Sequence, residues 1–338
     1  MLLFAKGALA GKPRLGIRVA DWLMEAKDDP VRRAKHGCLW RLDSGCLSVS
    51  SSPDVSVIIP HYHDLQGLDR CLTALAQQTY AQDRFEIVVA DNASPEGEGE
   101  VAAVVAGRAR LVVVREKGAG PARNGGAAIA KGMTFAFTDS DCVPEPQWLE
   151  QGLAGLSEFD FVGGHVRVLL ETPSKMSEVE AFERVFAFDF KTYIKRKGFT
   201  GSGNMFCSRA VFETVGGFLS GVSEDVEWSH RARGMGYRLG YRPRAVVGHP
   251  ARRNWEELEL KWRRVNAETY GLTKGQAGHR LRWILKSLAL PISAVAHTPK
   301  VLTSRELNTV RQRLAALSVL YRLRLWRLAD AMRLVWDN

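Results

Sequence analysis

The sequence predicts an α/β fold built on a mostly parallel central sheet with helices on both faces. Near-continuous apolar runs of strand length recur from residue 54 onward, segments with apolar residues at three- and four-residue spacing separate them, and polar clusters follow the strands. At 338 residues, 46% hydrophobic and 25% charged, the chain suffices for one large domain or two modest ones. No solenoid-length repeat or low-complexity run points to an array.

The first strand follows the turn-forming run 48–53. Val55-Ser56-Val57-Ile58-Ile59-Pro60 reads as buried and is closed by proline, which starts the main domain at Asp54 and leaves 1–53 as an N-terminal extension. Leu65, Leu68, Cys71, Leu72 and Leu75 recur at helical spacing, and 85–90 is a second strand ending at Asp91-Asn92. A helix over 98–107, a strand over 111–114, a helix over 121–131 and a strand over 133–138 continue the alternation as far as Asp139-Ser140-Asp141. Ligands of such sheets bind beyond the carboxyl ends of the strands. His61-Tyr62-His63-Asp64, Asp91-Asn92 and Asp139-Ser140-Asp141 all fall there, so one rim can gather them.

Past Asp160 the alternation loosens. The expected elements are a strand over 160–169, a helical stretch over 177–196, the turn Gly201-Ser202-Gly203-Asn204, a helix from Ser208, Ser223-Glu224-Asp225 opening a helix to Gly234, and a strand pair ending at His249-Pro250. From Trp255 the chain reads as helix.

Net charge is +10, and its location is informative. Residues 274–338 carry 12 Lys and Arg against 3 Asp and Glu, while the remainder is nearly balanced at 35 against 34. Leu314, Leu317, Leu320, Tyr321, Leu325, Leu328, Met332 and Trp336 alternate there with arginines, as in an amphipathic basic helix. Such a helix either lies on an anionic membrane surface or packs its leucines onto the main domain. The apolar stretch 281–292 is too short and too charged to span a bilayer. No recognition motif accompanies the charge, which argues against nucleic acid as a partner. Five scattered cysteines without a Cys-x-x-Cys pair suit reduced thiols in a cytoplasmic protein, and Lys6 and Lys12 interrupt the apolar N-terminus before any secretory leader forms.

Asp139 and Asp141, on one side of an extended segment, suit a divalent cation that shares diphosphate oxygens. Each chemical reading has a bland counterpart. Asp-x-Asp is common in turns, Ser223-Glu224-Asp225 is also a helix start with Ser223 as N-cap, and Arg123-Asn124 is also a surface pair. His249 is equally a strand-end histidine, and His61 and His63 read as solvent-facing loop histidines, with metal binding the alternative.

Taken together, Val55 to Pro60, Gln77-Gln78-Thr79-Tyr80, Val88-Val89-Ala90-Asp91-Asn92, Ala122-Arg123-Asn124, Asp139-Ser140-Asp141-Cys142-Val143-Pro144, Gly203-Asn204-Met205, Val215-Gly216-Gly217-Phe218 and Ser223-Glu224-Asp225-Val226-Glu227 resemble the family-2 inverting glycosyltransferases of GT-A fold, especially those that build bacterial extracellular polysaccharides. The resemblance covers 54–250 and implies a Rossmann-like catalytic domain with a nucleotide-sugar half (54–145) and an acceptor-side half (146–250), followed by a basic helical extension (251–338). It implies that Pro60, His61, Tyr62, Asp91, Arg123, Asp139 and Ser140 contact the donor, that Asp141 and His249 hold Mn²⁺ or Mg²⁺, and that Gly203 and Asn204 border donor or acceptor. Asp225, beside Glu224, is then the catalytic base. The first loop departs from the family pattern, with His61-Tyr62-His63-Asp64 in place of a small residue, Tyr and Asn.

The implied partners are a nucleotide-sugar donor, UDP before GDP, a saccharide or lipid-linked saccharide acceptor, and the inner face of the cytoplasmic membrane through the basic extension. The rivals are a sugar-phosphate nucleotidyltransferase and a non-catalytic, membrane-attached scaffold. The first needs a Gly-rich segment with Arg and Lys after the first strand, where this chain has Pro60-His61-Tyr62-His63-Asp64; a dinucleotide-binding dehydrogenase fails for want of Gly-x-Gly-x-x-Gly.

Overall fold

The structure, a computed structural model, describes residues 52–172 and 175–337. Apart from its last two residues, the 1–53 extension lies outside them, as do Cys38, Cys46 and the N-terminal apolar run.

β1 (Val55–His61) is buried along its whole length, as a strand covered on both faces must be. Val55, Val57 and Ile59 pack on one face against α1 (Leu65–Leu75), α2 (Glu98–Val105) and α4 (Trp148–Gly155). Ile58 packs on the other, against α3 (Ala119–Ile129), α7 (Arg209–Val215) and α8 (Glu224–Gly234). β2 (Phe85–Asp91) and β3 (Arg110–Val113) extend the sheet on one side of β1 and β4 (Thr134–Thr138) on the other, all parallel.

With β5 (Val143–Pro144), β6 (Phe161–Leu169), β7 (Asn204–Ser208) and β8 (Leu239–Pro250), the sheet runs β3-β2-β1-β4-β7-β6-β8-β5. β7 is antiparallel to both neighbours and β5 is antiparallel to β8, so every strand except these two points the same way. Neither β5 nor β7 is expected from the sequence: two residues give no periodicity, and the buried run of β7 merges with the helix that Ser208 caps. β7 begins at the rim where β4 ends, which returns Gly203 and Asn204 to the ends of the parallel strands.

The strand pair expected before His249 is instead one strand. β8 pairs with β6 throughout, but Gly164 faces Arg242 while His165 faces Val246, so the intervening residues of β8 form a bulge. Asn204 fills it. Its side-chain amide donates to the carbonyls of His165 and Ala245, both at 2.9 Å, and its oxygen accepts from the Trp148 indole at 2.9 Å. Gly164 leaves the room, because a Cβ there would lie 2.1 Å from the Ala245 oxygen.

The single helical stretch expected over 177–196 is interrupted. α5 (Glu178–Phe186) opens with a Ser177–Glu180 capping box and ends before Phe188, whose φ of 56° lies in the left-handed region. A short α6 (Phe190–Thr192), capped by Asp189, and a π turn at Tyr193–Lys197 follow.

The extension folds as α9 (Trp255–Gly271), α10 (His279–Leu302) and α11 (Val310–Trp336). Ala316, Val319, Leu320 and Leu323 of α11 share a core with α5, α9 and α10, and Arg322 and Arg327 lie over the rings of Trp255 and Trp262 at 3.8 and 3.9 Å. For this face of α11, packing onto the rest of the chain is what the structure shows. No helix among the described residues is long and apolar enough to cross a membrane.

Asn204→Ala strips two bulge carbonyls and an indole N–H of their partner at a fully buried position. The expected cost is about 3 kcal/mol of unfolding free energy, read from urea denaturation.

Candidate functional site

The β1–β2 register sets His61 opposite Asp91, and both side chains are almost fully buried. His61 Nδ1 donates to Asp91 at 2.9 Å, and its Nε2 accepts from the Asp64 backbone N–H at 3.4 Å. Asp91 also accepts from the backbone N–H and hydroxyl of Ser94. His61 is therefore not a solvent-facing loop histidine: its ring is committed to the carboxylate that closes β2. Most of the acceptor sites of Asp91 are already taken inside the protein, so Asp91 does not face open solvent. Pro60 is buried in β1, whereas Tyr62 is 56% exposed, and His63 is exposed and paired with Glu96.

Asn92 works on the following loop, its side chain bonding the carbonyls of Val114 and Glu116 and the N–H of Gly118 just ahead of α3. This fixes α3 and with it Arg123, which is buried. Arg123 is the hub of the site. One terminal nitrogen meets Asp139 at 2.5 Å and the other meets Glu224 at 2.9 Å, linking the end of β4 to the start of α8. Asn124 does the same for the backbone, exchanging two 2.8 Å bonds with Phe218.

Asp139-Ser140-Asp141 is not an extended segment. It closes a turn, with the Cys142 N–H bonded to the Asp139 carbonyl at 3.1 Å, and the carboxylates converge because the chain bends. Oxygens of Asp139 and Asp141 and the sulfur of Cys142 lie within 4.8 Å of one another. Burial next to the two carboxylates pushes the Cys142 thiol well above its ordinary value, so at neutral pH it stays protonated and leaves the oxygens as ligands. Gly203 sits against Asp139, where a Cβ would lie 2.5 Å from the carboxylate. Asn204, by contrast, turns into the bulge of β8 and has no side-chain atom free for a ligand.

The short β5–β8 pairing sets Val143 against Gly248, which carries His249 to the Asp141 turn. His249 Nε2 is 3.2 Å from the Asp141 carboxylate, and its Nδ1 donates to the Pro250 carbonyl at 2.8 Å. With Nδ1 committed, Nε2 meets Asp141 either as an imidazolium N–H or as a bare lone pair. In the second case two acceptors face each other, and a cation held by both resolves the contact. Burial raises the Asp141 carboxyl against the opposing pull of His249, which also fits a group that gains from a cation. These residues fit a hard divalent ion. Phe188 lies tilted against the His249 ring, centroids 4.4 Å apart, and Lys261 of α9 lies over Phe188 in turn, 5.1 Å from its centroid. Neither residue carries a local sequence signal, because both reach the site through long-range packing.

Asp225, in the first turn of α8, is pushed up to about 6, by burial first and by the adjacent Glu224 charge second, against the Val226 N–H it accepts at 2.8 Å. Ser223 occupies the N-cap position without making a cap bond; its hydroxyl points to Asp225 at 3.3 Å. Glu268 of α9 stands close enough to Glu224 and Asp225 for their charge, added to burial, to raise it to about 7.

Residues 56–216 match the model of Glycosyl transferase family 2. The chain is 33% identical over 222 residues to the glycosyltransferase AglE of Haloferax volcanii, covering 63% of this chain and 72% of that one. It is 24% identical to the probable glycosyltransferase YdaM of Bacillus subtilis, covering 63% and 55%, and 27% identical to the pre-mycofactocin glycosyltransferase of Mycobacterium tuberculosis, covering 61% and 45%. The chain thus spans about half the length of these two relatives. Among solved structures it is similar to the mannosyltransferase PcManGT of Pyrobaculum calidifontis in complex with GDP-Man and Mn²⁺, with a TM-score of 0.44, 21% identity, and coverage of 83% and 74%.

Arg123→Met keeps the apolar stem but leaves two carboxylates facing a buried gap, so urea denaturation should show a loss of about 3 kcal/mol. Arg84→Met, which breaks an ion pair whose members are 57% and 47% exposed, should leave the urea midpoint almost unchanged.

Proposed function

The chain belongs to Glycosyl transferase family 2, and on that premise we propose that it transfers a sugar from a nucleotide-diphosphate donor, UDP before GDP, to a hydroxyl of a saccharide or lipid-linked saccharide, inverting the anomeric carbon. The observation that carries the proposal is the Arg123 bridge, which sets the Asp139–Asp141 turn and the Glu224–Asp225 helix start side by side.

Asp225 is the base. With a carboxyl raised to about 6 it is mostly ionised at neutral pH yet basic enough to accept a proton as the acceptor oxygen bonds to carbon. The bond from anomeric carbon to phosphate oxygen breaks as the new bond forms, and its electron pair leaves with the diphosphate. Arg123 holds Glu224 and Asp139 in place, and Asp139 and Ser140 face the donor from the turn. Tyr62, the exposed aromatic beside β1, offers a ring to the nucleotide base. Asp141 and His249 would hold Mn²⁺ or Mg²⁺, which as a Lewis acid supplies positive charge to the departing diphosphate.

Nucleoside diphosphate with Mn²⁺ should raise the melting temperature, by the equivalent of about 2.7 kcal/mol at a hundredfold excess over Kd. No shift with UDP, GDP or dTDP would count against the donor class. Asp225→Asn should lower transfer about 10²- to 10⁴-fold with the donor-induced thermal shift retained, whereas a non-catalytic scaffold predicts no change. Because the ionised carboxylate is the active form, kcat/KM should fall as pH drops through about 6 and lie flat above it.

A further inference from the structure

The helical extension has a second face that the catalytic reading does not use. α10 turns Trp283, Ser287, Ala294 and Val301 inward. Leu281, Leu285, Leu288, Ile292, Val295 and Leu302 point the other way, each between 51% and 72% exposed. Their spacing alternates four and three residues up to Val295, so they line one face of the helix over about 31 Å at the helical rise, with Pro291 and Pro299 inside the same helix. The Thr298 hydroxyl bonds the Tyr321 hydroxyl at 3.0 Å, joining the edge of this stripe to α11, where Tyr321 and Leu325 are also exposed. An apolar face of this length is uncommon on a surface that meets only water.

Charge identifies the occupant. α10 contains no acidic residue, and Arg282 and Lys286 flank the stripe, both exposed. The acidic residues of 274–338 are engaged elsewhere: Glu306 with Arg184, Asp330 with Asn266 and Arg333, and Asp337 with Arg333. Two copies meeting along this stripe would set like charges beside each other, whereas an anionic surface meets them with the opposite sign. We propose that the outward stripe of α10, with Arg282 and Lys286 at its margin, docks the protein in the plane of an anionic lipid bilayer. The amphipathic helix expected for this role was α11, but the inner face of α11 is spent in the core and α10 presents the continuous stripe. The proposal does not depend on the transfer reaction, so binding and catalysis fail separately.

The test is co-sedimentation of the full chain with phosphatidylcholine vesicles, with and without phosphatidylglycerol, alongside light scattering to determine mass. Sedimentation with the anionic vesicles only is expected, weakening as salt rises. Leu285→Asp with Ile292→Asp should abolish it at an unchanged melting temperature, and Arg282→Ala with Lys286→Ala should weaken it by about fivefold per cation. The second pair leaves the leucine stripe intact and serves as the control should the first destabilise the helix. Equal binding to neutral vesicles, binding insensitive to both pairs, or a dimer that Leu285→Asp dissolves would each overturn the proposal.

Discussion

The buried guanidinium of Arg123 is the constraint on which the site depends. Two acidic motifs about eighty residues apart in sequence would repel if brought together bare. Arg123 sits between them with 4% of its side chain exposed and bonds one carboxylate of each. At such depth an ion pair is strong only while both partners remain, so this contact contributes registry more than net stability. Its surroundings serve the same end: Asn92 holds the loop before α3, Asn124 ties α3 to Phe218, and the Trp228 indole bonds the Gly216 carbonyl.

The parallel half of the fold was legible in the sequence because its signals are local. β1 to β4 are mostly apolar runs, and β1, β2 and β4 each end on a polar cluster that the sheet carries to one rim. The antiparallel half was not, since β5 is too short to show a period and β7 runs directly into its capped helix. Pro243 breaks the pattern of β8 like a turn, yet there it belongs to a bulge that a single asparagine satisfies from another strand. A side chain's environment is the least legible feature. Asn204 looked like a ligand-facing loop residue and is core, and His61 looked like a loop residue and is the buried partner of Asp91. The Asp91-x-x-Ser94 spacing, in which the carboxylate accepts the N–H three residues on, was the one local hint that Asp91 is engaged inside the protein.

The extension from α9 onward also bears on the site. Lys261 packs over Phe188, whose ring lies tilted against that of His249, and Glu268 stands near Glu224 and Asp225, whose charge, after burial, raises the Glu268 carboxyl. Lys261 is itself lowered to about 8 by burial while paired with Glu183, so the contact is a closely packed one. Helices that follow the last strand therefore help to position the histidine and bring a further carboxyl group near the proposed base.

The central claim is that the strand-end rim organised by Arg123 holds a cation at Asp141 and His249, with Asp225 as the base. Anomalous scattering from Mn²⁺ in crystals grown with a nucleoside diphosphate tests it most directly. The account predicts a single strong peak bonded to Asp141 and His249, with Arg123 still bridging Asp139 and Glu224. A peak bonded elsewhere, or an Arg123 side chain swung away from both carboxylates, would contradict it.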